Sequence, residues 1–355
     1  MVFRWMCWLL LVSLPAMAQR TDDGPYLLEE NGANYVYQLR KSKLFREELK
    51  GDQLKVEVPG RPEQDFTVEL RGAHVPEPGL FAQPEKLFFI SDLEGEFEGL
   101  RKLLLAAGIM DHRYDWTFGR GHLVICGDLF DRGRQVPLVL WLLYRLEAEA
   151  TRHGGYVHTI LGNHDIMNLS GDLRYLDKKY LHSAELIGRD YLSLYGRDTE
   201  LGRWLRSKNV IEKIGDNLCL HAGIAPELGR LWLSVGEVNG LCRPYYDRAP
   251  TTKGVGDPKV DIFFRGRTSP FWYRGYFLEP KASQAQVDSV LAVFGGARLV
   301  VGHTIVKQNI GFYYGGRVLG IDVDRHRGDH RGAMWEAGNW WTVDARGRRR
   351  AISAI

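Results

Sequence analysis

HLVICGDLFDRG, residues 122–133, opens with the apolar run Leu123–Cys126 and breaks at Gly127 into a turn holding two aspartates and an arginine. A short apolar run with β-branched residues, bounded by glycine, reads as a buried strand. The same pattern stands on either side. KLFFISD upstream ends in Asp92, and YVHTILGNHD downstream ends in Asn163 and His164. Between them lie GEFEGLRKLLLAAGI, with Phe97, Leu100, Leu103 and Leu104 at helical spacing, and the long helical stretch QVPLVLWLLYRLEAEATRHG. Strand, helix, strand, helix, strand means βαβ units and a sheet covered by helices.

Farther along, NLCLHAGI, ARLVVGHT, IGFYYGG and RVLGIDVD read as strands, with a helix at ASQAQVDSVLAVFG before the second. Residues 167–212 are mostly helical in pattern and polar, and read as a lid or cap. Residues 19–85 alternate weakly. LKVEV and FTVEL read as short half-buried strands of an N-terminal β extension, and the prolines of HVPEPGLFAQPE mark a linker after it.

Five apolar strands thus end in Asp92, Asp128, Asn163–His164, His221 and His303. Open α/β sheets bind ligands outside the carboxyl ends of their strands. One such residue alone is as readily a cap or loop residue. Together, carboxylate, amide and imidazole donors form a ligand set for Mn, Fe or Zn, and not a structural thiolate site. Just after the first strand, Asp92, Glu94, Glu96 and Glu98 crowd together. Glu96 and Glu98 fit the first turns of a helix, where its dipole favours negative charge. Glu94 has no such excuse.

The order GDLFDRG, GNHD, LHAG, GHT resembles the metallophosphoesterases, in their phosphoprotein-phosphatase branch. LGNHDIMNLSGDLRY is similar to the Shewanella-like phosphatases of that branch. The resemblance covers about residues 86–325. It implies an α/β fold with a β-sandwich core flanked by helices in four layers, αββα; the small N-terminal β extension lies outside it. The organisation expected is a signal peptide over 1–18, the extension over 19–85, and the phosphoesterase domain over 86–330 with a helical cap insertion at 167–212. A C-terminal strand and basic tail follow over 331–355.

The resemblance also implies roles. Asp92 and Glu94 would hold a first metal, Asp128 would bridge, and Asn163, His221 and His303 would complete a second. His164 would be the general acid, oriented by Asp131. Arg132 would hold the phosphate, and TSPFWYRGY offers Arg274 as a second phosphate arginine. Arg243 resembles a position that supports the fold. These residue types suit the chemistry. Two metals about 3.5–4 Å apart clamp an in-line displacement and turn water into hydroxide near neutral pH. Developing phosphoryl charge calls for the bidentate fork of arginine, and the leaving oxygen needs a proton from a held imidazole.

Three residues depart from the pattern, one of them Ala222 in LHAGI, which replaces a glycine and leaves His221 unaffected. Asp165 replaces a glutamate after the GNH motif, a shortening that leaves the ligands intact. In DLEG, Glu94 stands where the resemblance implies a histidine. It either ligates a metal with one added negative charge, favouring Mn²⁺ or Fe over Zn²⁺, or leaves the first site half-built.

The 355 residues are 45% hydrophobic and 26% charged, ordinary for a globular chain. The length fits one large domain or two modest ones. A net formal charge of +3 argues against bulk nucleic-acid binding, and the cluster Arg346–Arg350 reads as a solvated tail. MVFRWMCWLLLVSLPAMAQR has a basic start, a short apolar run and the small-residue site AMA, the pattern of a signal peptide cut after Ala18. The run is too short to span a bilayer comfortably, and Cys7 lies too far ahead of the cut for lipid attachment. The expectation is a periplasmic or secreted protein without stable membrane insertion. Cleavage leaves Cys126, Cys219 and Cys242, an odd number that builds no disulfide framework. A Cys219–Cys242 bridge is open in an oxidising compartment.

The reading is an exported metallophosphatase acting on phosphoprotein, phosphotyrosine or phosphoserine/threonine. The rivals are a nucleotide or small-molecule phosphatase and an inactive phosphate-binding module; for either phosphatase Arg174, Tyr175, Lys178 and Lys179 are candidate substrate contacts, the alternative being a solvated helix face. In Glu94→His, metal preference is expected to move toward Zn²⁺ and the pH optimum downward. A metal titration of activity that shows neither change defeats the Glu94 assignment.

Overall fold

The structure is a computed structural model describing residues 20–248, 256–306 and 309–352. The expected signal peptide and Cys7 lie outside the described residues. Strands β1 (Asp23–Glu30), β2 (Ala33–Arg40) and β3 (Lys43–Glu48) form an antiparallel sheet, and β4 (Gln53–Val56) pairs with β5 (Phe66–Glu69). The short β6 (Leu80–Phe81) leaves this extension and joins a central sheet. The predicted βαβ run follows: β7 (Lys86–Ile90), α1 (Phe97–Ala106), β8 (His122–Cys126), α2 (Val136–Arg152) and β9 (Tyr156–Ile160). Next come α3 (Asn163–Ser170), α4 (Lys178–Ile187), α5 (Glu200–Ser207), β10 (Ile211–Ile214), β11 (Asn217–Leu220), α6 (Pro226–Gly229), α7 (Val235–Cys242), α8 (Pro258–Phe264) and α9 (Gln284–Phe294). The chain closes with β12 (Arg298–Val301), β13 (Gly311–Tyr313), β14 (Val318–Gly320), β15 (Arg331–Glu336), β16 (Asn339–Asp344) and β17 (Arg349–Ala351).

Two six-stranded sheets form the centre, ordered β17-β16-β15-β7-β8-β9 and β13-β14-β12-β11-β10-β6. In the first, β7, β8 and β9 run parallel and β15 lies antiparallel to β7. Side chains alternate across a pleated strand. Leu87, Phe89, Val124 and Cys126 therefore point between the sheets, where they meet Ile214, Cys219, Val300 and Leu319. Phe88, Ile90, Leu123 and Ile125 face outward into a cluster with Leu100, Leu104, Val139 and Leu143 of α1 and α2. Leu218, Leu220, Leu299 and Val301 share a cluster with Val235, Val238, Val287 and Leu291 of α7 and α9. The result is helix, sheet, sheet, helix, as the resemblance implies. Cys126, Cys219 and Cys242 are free and buried, so no Cys219–Cys242 bridge forms. No helix among the described residues is long and apolar enough to cross a membrane.

One expectation needs correction. Residues 331–352 are three strands of the first sheet and not one strand with a solvated tail. The cluster Arg346–Arg350 spans the β16–β17 turn, where Arg348 Nε donates to Asp344 Oδ2 at 2.6 Å. Exposed arginines are common on an edge strand because charge discourages further pairing. Segment 167–212, expected as a lid or cap, also packs on the N-terminal sheet: Lys179 Nζ lies 3.0 Å from Asp23, Arg189 pairs with Glu30, and Tyr195 meets Tyr26 edge-on at 5.9 Å. The extension also straddles α2, where Trp141 Nε1 donates to the Pro25 carbonyl at 2.8 Å. Trp141 is fully buried. Replacing it with alanine is expected to lower unfolding free energy by about 3–5 kcal/mol in chemical denaturation, and a loss below about 1 kcal/mol would remove it from the junction's supports.

Candidate metal centre and active-site cleft

Each core strand hands a polar residue to the same rim. Asp92 follows β7, Asp128 follows β8, Asn163 and His164 open α3 after β9, His221 follows β11, and His303 follows β12. The backbone must turn sharply there. Asp92, Glu94, Asp128, Asp131, Arg132 and His303 all adopt φ between 42° and 73°, a left-handed conformation unfavourable for residues with a Cβ and concentrated at functional sites. Asp165 holds the turn after β8. Its carboxylate accepts from Asp128 N at 3.0 Å, Leu129 N at 2.8 Å and Gly162 N at 2.7 Å. The shortened acid thus ties two loops together. Gly162 is required by contact, since a Cβ there would lie 2.2 Å from Asp128 Oδ1.

Asp128 is the hub. It is 1% exposed. Its Oδ2 lies 3.1 Å from His221 Nε2 and 3.8 Å from His164 Nε2, while Oδ1 accepts from the His164 amide at 2.9 Å. Two clusters share it, each with ligand atoms within 4.8 Å of one another: Asp128, His221, His303, and Glu94, Asp128, His164. In the first, His221 Nε2 and His303 Nδ1 are 3.1 Å apart, and Asn163 Oδ1 is 2.9 Å from His221 Nε2. Asp92 lines the same cleft but belongs to neither cluster, and its Oδ2 accepts from the His303 amide at 3.0 Å.

His164 Nδ1 is 2.6 Å from Asp131 Oδ2, and Asn168 Nδ2 donates to Asp131 Oδ1 at 2.7 Å. This orients the imidazole with Nε2 toward the cleft. Arg132 lies beside it and pairs with Glu94. Arg274 Nη1 donates to the His303 carbonyl at 2.9 Å on the facing wall. The cleft measures about 510 Å³ and is lined by Asp92, Glu94, Asp128, Arg132, Asn163, His164, Arg274 and His303. Of the ligands and catalytic candidates expected from sequence, His221 and Asp131 stand behind this wall and the rest line it.

Some contacts were not legible. Trp272, Asp322 and His326 also line the cleft. Asp322 ends the strand-like run RVLGID, a signal of the same kind as the other strand-end acids. Of the cap candidates, Tyr175 stacks obliquely on His164 at 5.1 Å. Arg174 instead pairs with Asp172, and Lys179 donates to the Arg134 carbonyl at 2.6 Å. Lys178 is exposed and lines no cavity described here. Arg243 donates to Asn209 at 2.6 Å and supports the fold.

The electrostatics are those of a cation site. Burial, then the neighbouring Asp128 charge, pushes Asp92 up. Burial and the Asp92 charge push Asp322 well up. Burial and Asp128 push Asp165 up to about 7. Burial alone would lower His221, yet the carboxylate of Asp128 drives it up to about 10. Crowded carboxylates in a poorly hydrated place call for positive charge. The donor set fits two divalent cations that share Asp128, and one of its atoms, His303 Nε2, is buried without a hydrogen bond. With Mn²⁺, Fe²⁺ or Zn²⁺ at 100 times Kd, stability is expected to rise by about 2.7 kcal/mol. Chelator should reverse the rise in melting temperature. A melting temperature indifferent to chelator and to all three cations would show that no cation is held.

Residues 85–307 match the calcineurin-like phosphoesterases. Shewanella-like protein phosphatase 2 of Arabidopsis thaliana is 28% identical over 293 residues, covering 70% of this chain and 73% of that one. Shewanella-like protein phosphatase 1 of Plasmodium berghei is 26% identical over 252 residues, covering 67% and 66%. Among solved structures, the cold-active protein-tyrosine phosphatase of a psychrophilic Shewanella species is 34% identical, covers 93% of this chain and 99% of that one, and superposes with a TM-score of 0.85. The family works through a dinuclear divalent metal site, for which this rim supplies the donors. The chain belongs to the calcineurin-like phosphoesterase family and is a metallophosphatase.

Proposed function

We propose that this protein is an exported phosphomonoesterase of phosphoproteins, acting on phosphotyrosine or on phosphoserine and phosphothreonine. One observation carries the reading. The His164–Asp131 pair, at 2.6 Å, faces the same cleft as two arginines and the Asp128-centred donors. When bound, the divalent cations supply Lewis acidity and lower the pKa of water. The chain's residues do the rest. Arg132 and Arg274 hold the phosphoryl oxygens with charge-assisted hydrogen bonds. Asp131 fixes the ring, and His164 delivers a proton from Nε2 to the departing oxygen. An inert binding module would have little use for that dyad.

Two observations favour a polypeptide substrate. Trp272 and Arg274 line both the cleft and an adjoining hollow of about 820 Å³. Phe264, Tyr273 and Leu278 give that hollow an apolar wall suited to side chains flanking a phosphorylated residue. The Shewanella relative, itself a protein-tyrosine phosphatase, favours phosphotyrosine. Export rests on the N-terminal pattern, with the periplasm or the medium as destination. The extra carboxylate at Glu94 favours Mn or Fe as the resident metal.

With para-nitrophenyl phosphate and Mn²⁺, His164→Ala is expected to lower kcat about 10²–10⁴-fold at unchanged metal content. Burial opposes protonation of His164, but Asp128 and then Asp131 raise its pKa above the ordinary histidine value. The acid form therefore persists to higher pH. Removing the Asp131 charge in Asp131→Asn is expected to shift the alkaline limb of kcat to lower pH. Full activity in His164→Ala overturns the general-acid role. A panel of phosphopeptides and nucleotides tests the substrate class, and a preference for nucleotides overturns it.

A further inference from the structure

Glu94 is where this chain departs from the imidazole that its first motif implies, and its two oxygens have different neighbours. Oε1 is buried, pairs with Arg132, and lies 3.8 Å from His164 Nε2 within the cluster centred on Asp128. Oε2 is held by His326 Nε2 at 2.6 Å. The other ring nitrogen, Nδ1, lies 3.1 Å from Glu96 Oε1. One imidazole is thus gripped by two carboxylates of the turn that follows β7.

His326 sits in a single 3₁₀ turn, Arg325–Arg327, after β14. That turn is anchored. Arg325 is 3% exposed, its Nε donates to the Ser91 carbonyl at 2.8 Å, and its Nη2 donates to the Arg331 carbonyl at 3.1 Å. The anchor ties the His326 turn to the residue just before Asp92. The ring reaches the first metal position from a strand end other than the one bearing Glu94.

A glutamate in place of a histidine creates two difficulties. It has an extra rotatable bond, and it adds negative charge beside Asp92 and Asp128. A donor on its outer oxygen answers both, by fixing the rotamer and drawing charge away from the site. Metal-ligating carboxylates are themselves hydrogen-bonded, and removing such partners weakens metal binding about 10–100-fold.

We propose that His326 is a positioning residue of the first metal site: it clamps Glu94 through Oε2 so that Oε1 stays turned toward Asp128. Glu94 and His326 together then stand in for the one imidazole missing from DLEG. This rests on the reading that the rim holds two divalent cations.

The test is Mn²⁺ binding by calorimetry and elemental analysis on the full chain, which needs no activity. His326→Ala is expected to weaken one of two Mn²⁺ sites about 10–100-fold and to leave the other unchanged, with the melting temperature in chelator as in the wild type. His326→Gln, whose amide can donate to Oε2, should recover part of the loss. In a Glu94→His background the imidazole acts directly, and adding His326→Ala should change nothing. Wild-type affinity at both sites in His326→Ala overturns the proposal. So does an equal loss in the Glu94→His background, which would mean that His326 acts without Glu94. Wild-type protein that takes up no Mn²⁺, Fe²⁺ or Zn²⁺ removes the metal reading itself and the proposal with it. Two sites in the wild type with no loss in the variant removes the proposal alone.

Discussion

A carboxylate almost wholly out of water, with imidazoles on both sides, organises this molecule. Asp128 is 1% exposed, and two separate donor clusters meet at its oxygens. Charge in such a place is costly unless it is matched. The partners come from every neighbouring strand: His221 from β11, His303 from β12, Asn163 and His164 from the start of α3, Glu94 from the turn after β7. Two packed sheets are what bring these strand ends to one rim. The apolar interior of Phe89, Val124, Cys219 and Val300 supplies the rigidity that holds like charges in place.

The rim carries strain as well as charge. Six of its residues adopt left-handed φ, and each such position costs of order 1–3 kcal/mol unless its surroundings impose it. Asp165 imposes it after β8, by accepting four backbone N–H groups from two loops. The backbone links Asp92 N to the Gly127 carbonyl and Glu94 N to the Asp128 carbonyl, both at 2.9 Å, so the first two motifs are also tied directly. Site geometry here is backbone geometry, and the side chains inherit their aim from it.

The rim was legible in the sequence because its signals are local. An apolar run that stops at Asp, Asn or His announces a strand and its end in a few letters, and GDLFDRG and GNHD carry the spacing between them. Asp322 bore the same signal in RVLGID. The N-terminal meander was harder. In β1 and β2 buried residues run consecutively, Tyr26–Leu28 and Val36–Gln38, because the sheet is covered on both faces by α2, α4 and their neighbours, and this erases the two-residue period. Residues 331–352 misled for the opposite reason. Arginines on an edge strand have the composition of a tail.

Composition, periodicity and motif spacing by themselves determined that this chain builds a sheet covered by helices and delivers carboxylates, an amide and imidazoles to its strand ends. They could do so because strand period, helix period and residue chemistry are properties of neighbours in the chain. Only the tertiary structure decided which of those groups meet. Glu94 and His326 stand 232 positions apart and touch at 2.6 Å. Lys179, polar and helical in the sequence, turns away from the cleft to Asp23. Contacts of that kind follow from how two sheets and their covering helices close on one another, and no window of sequence contains that closure.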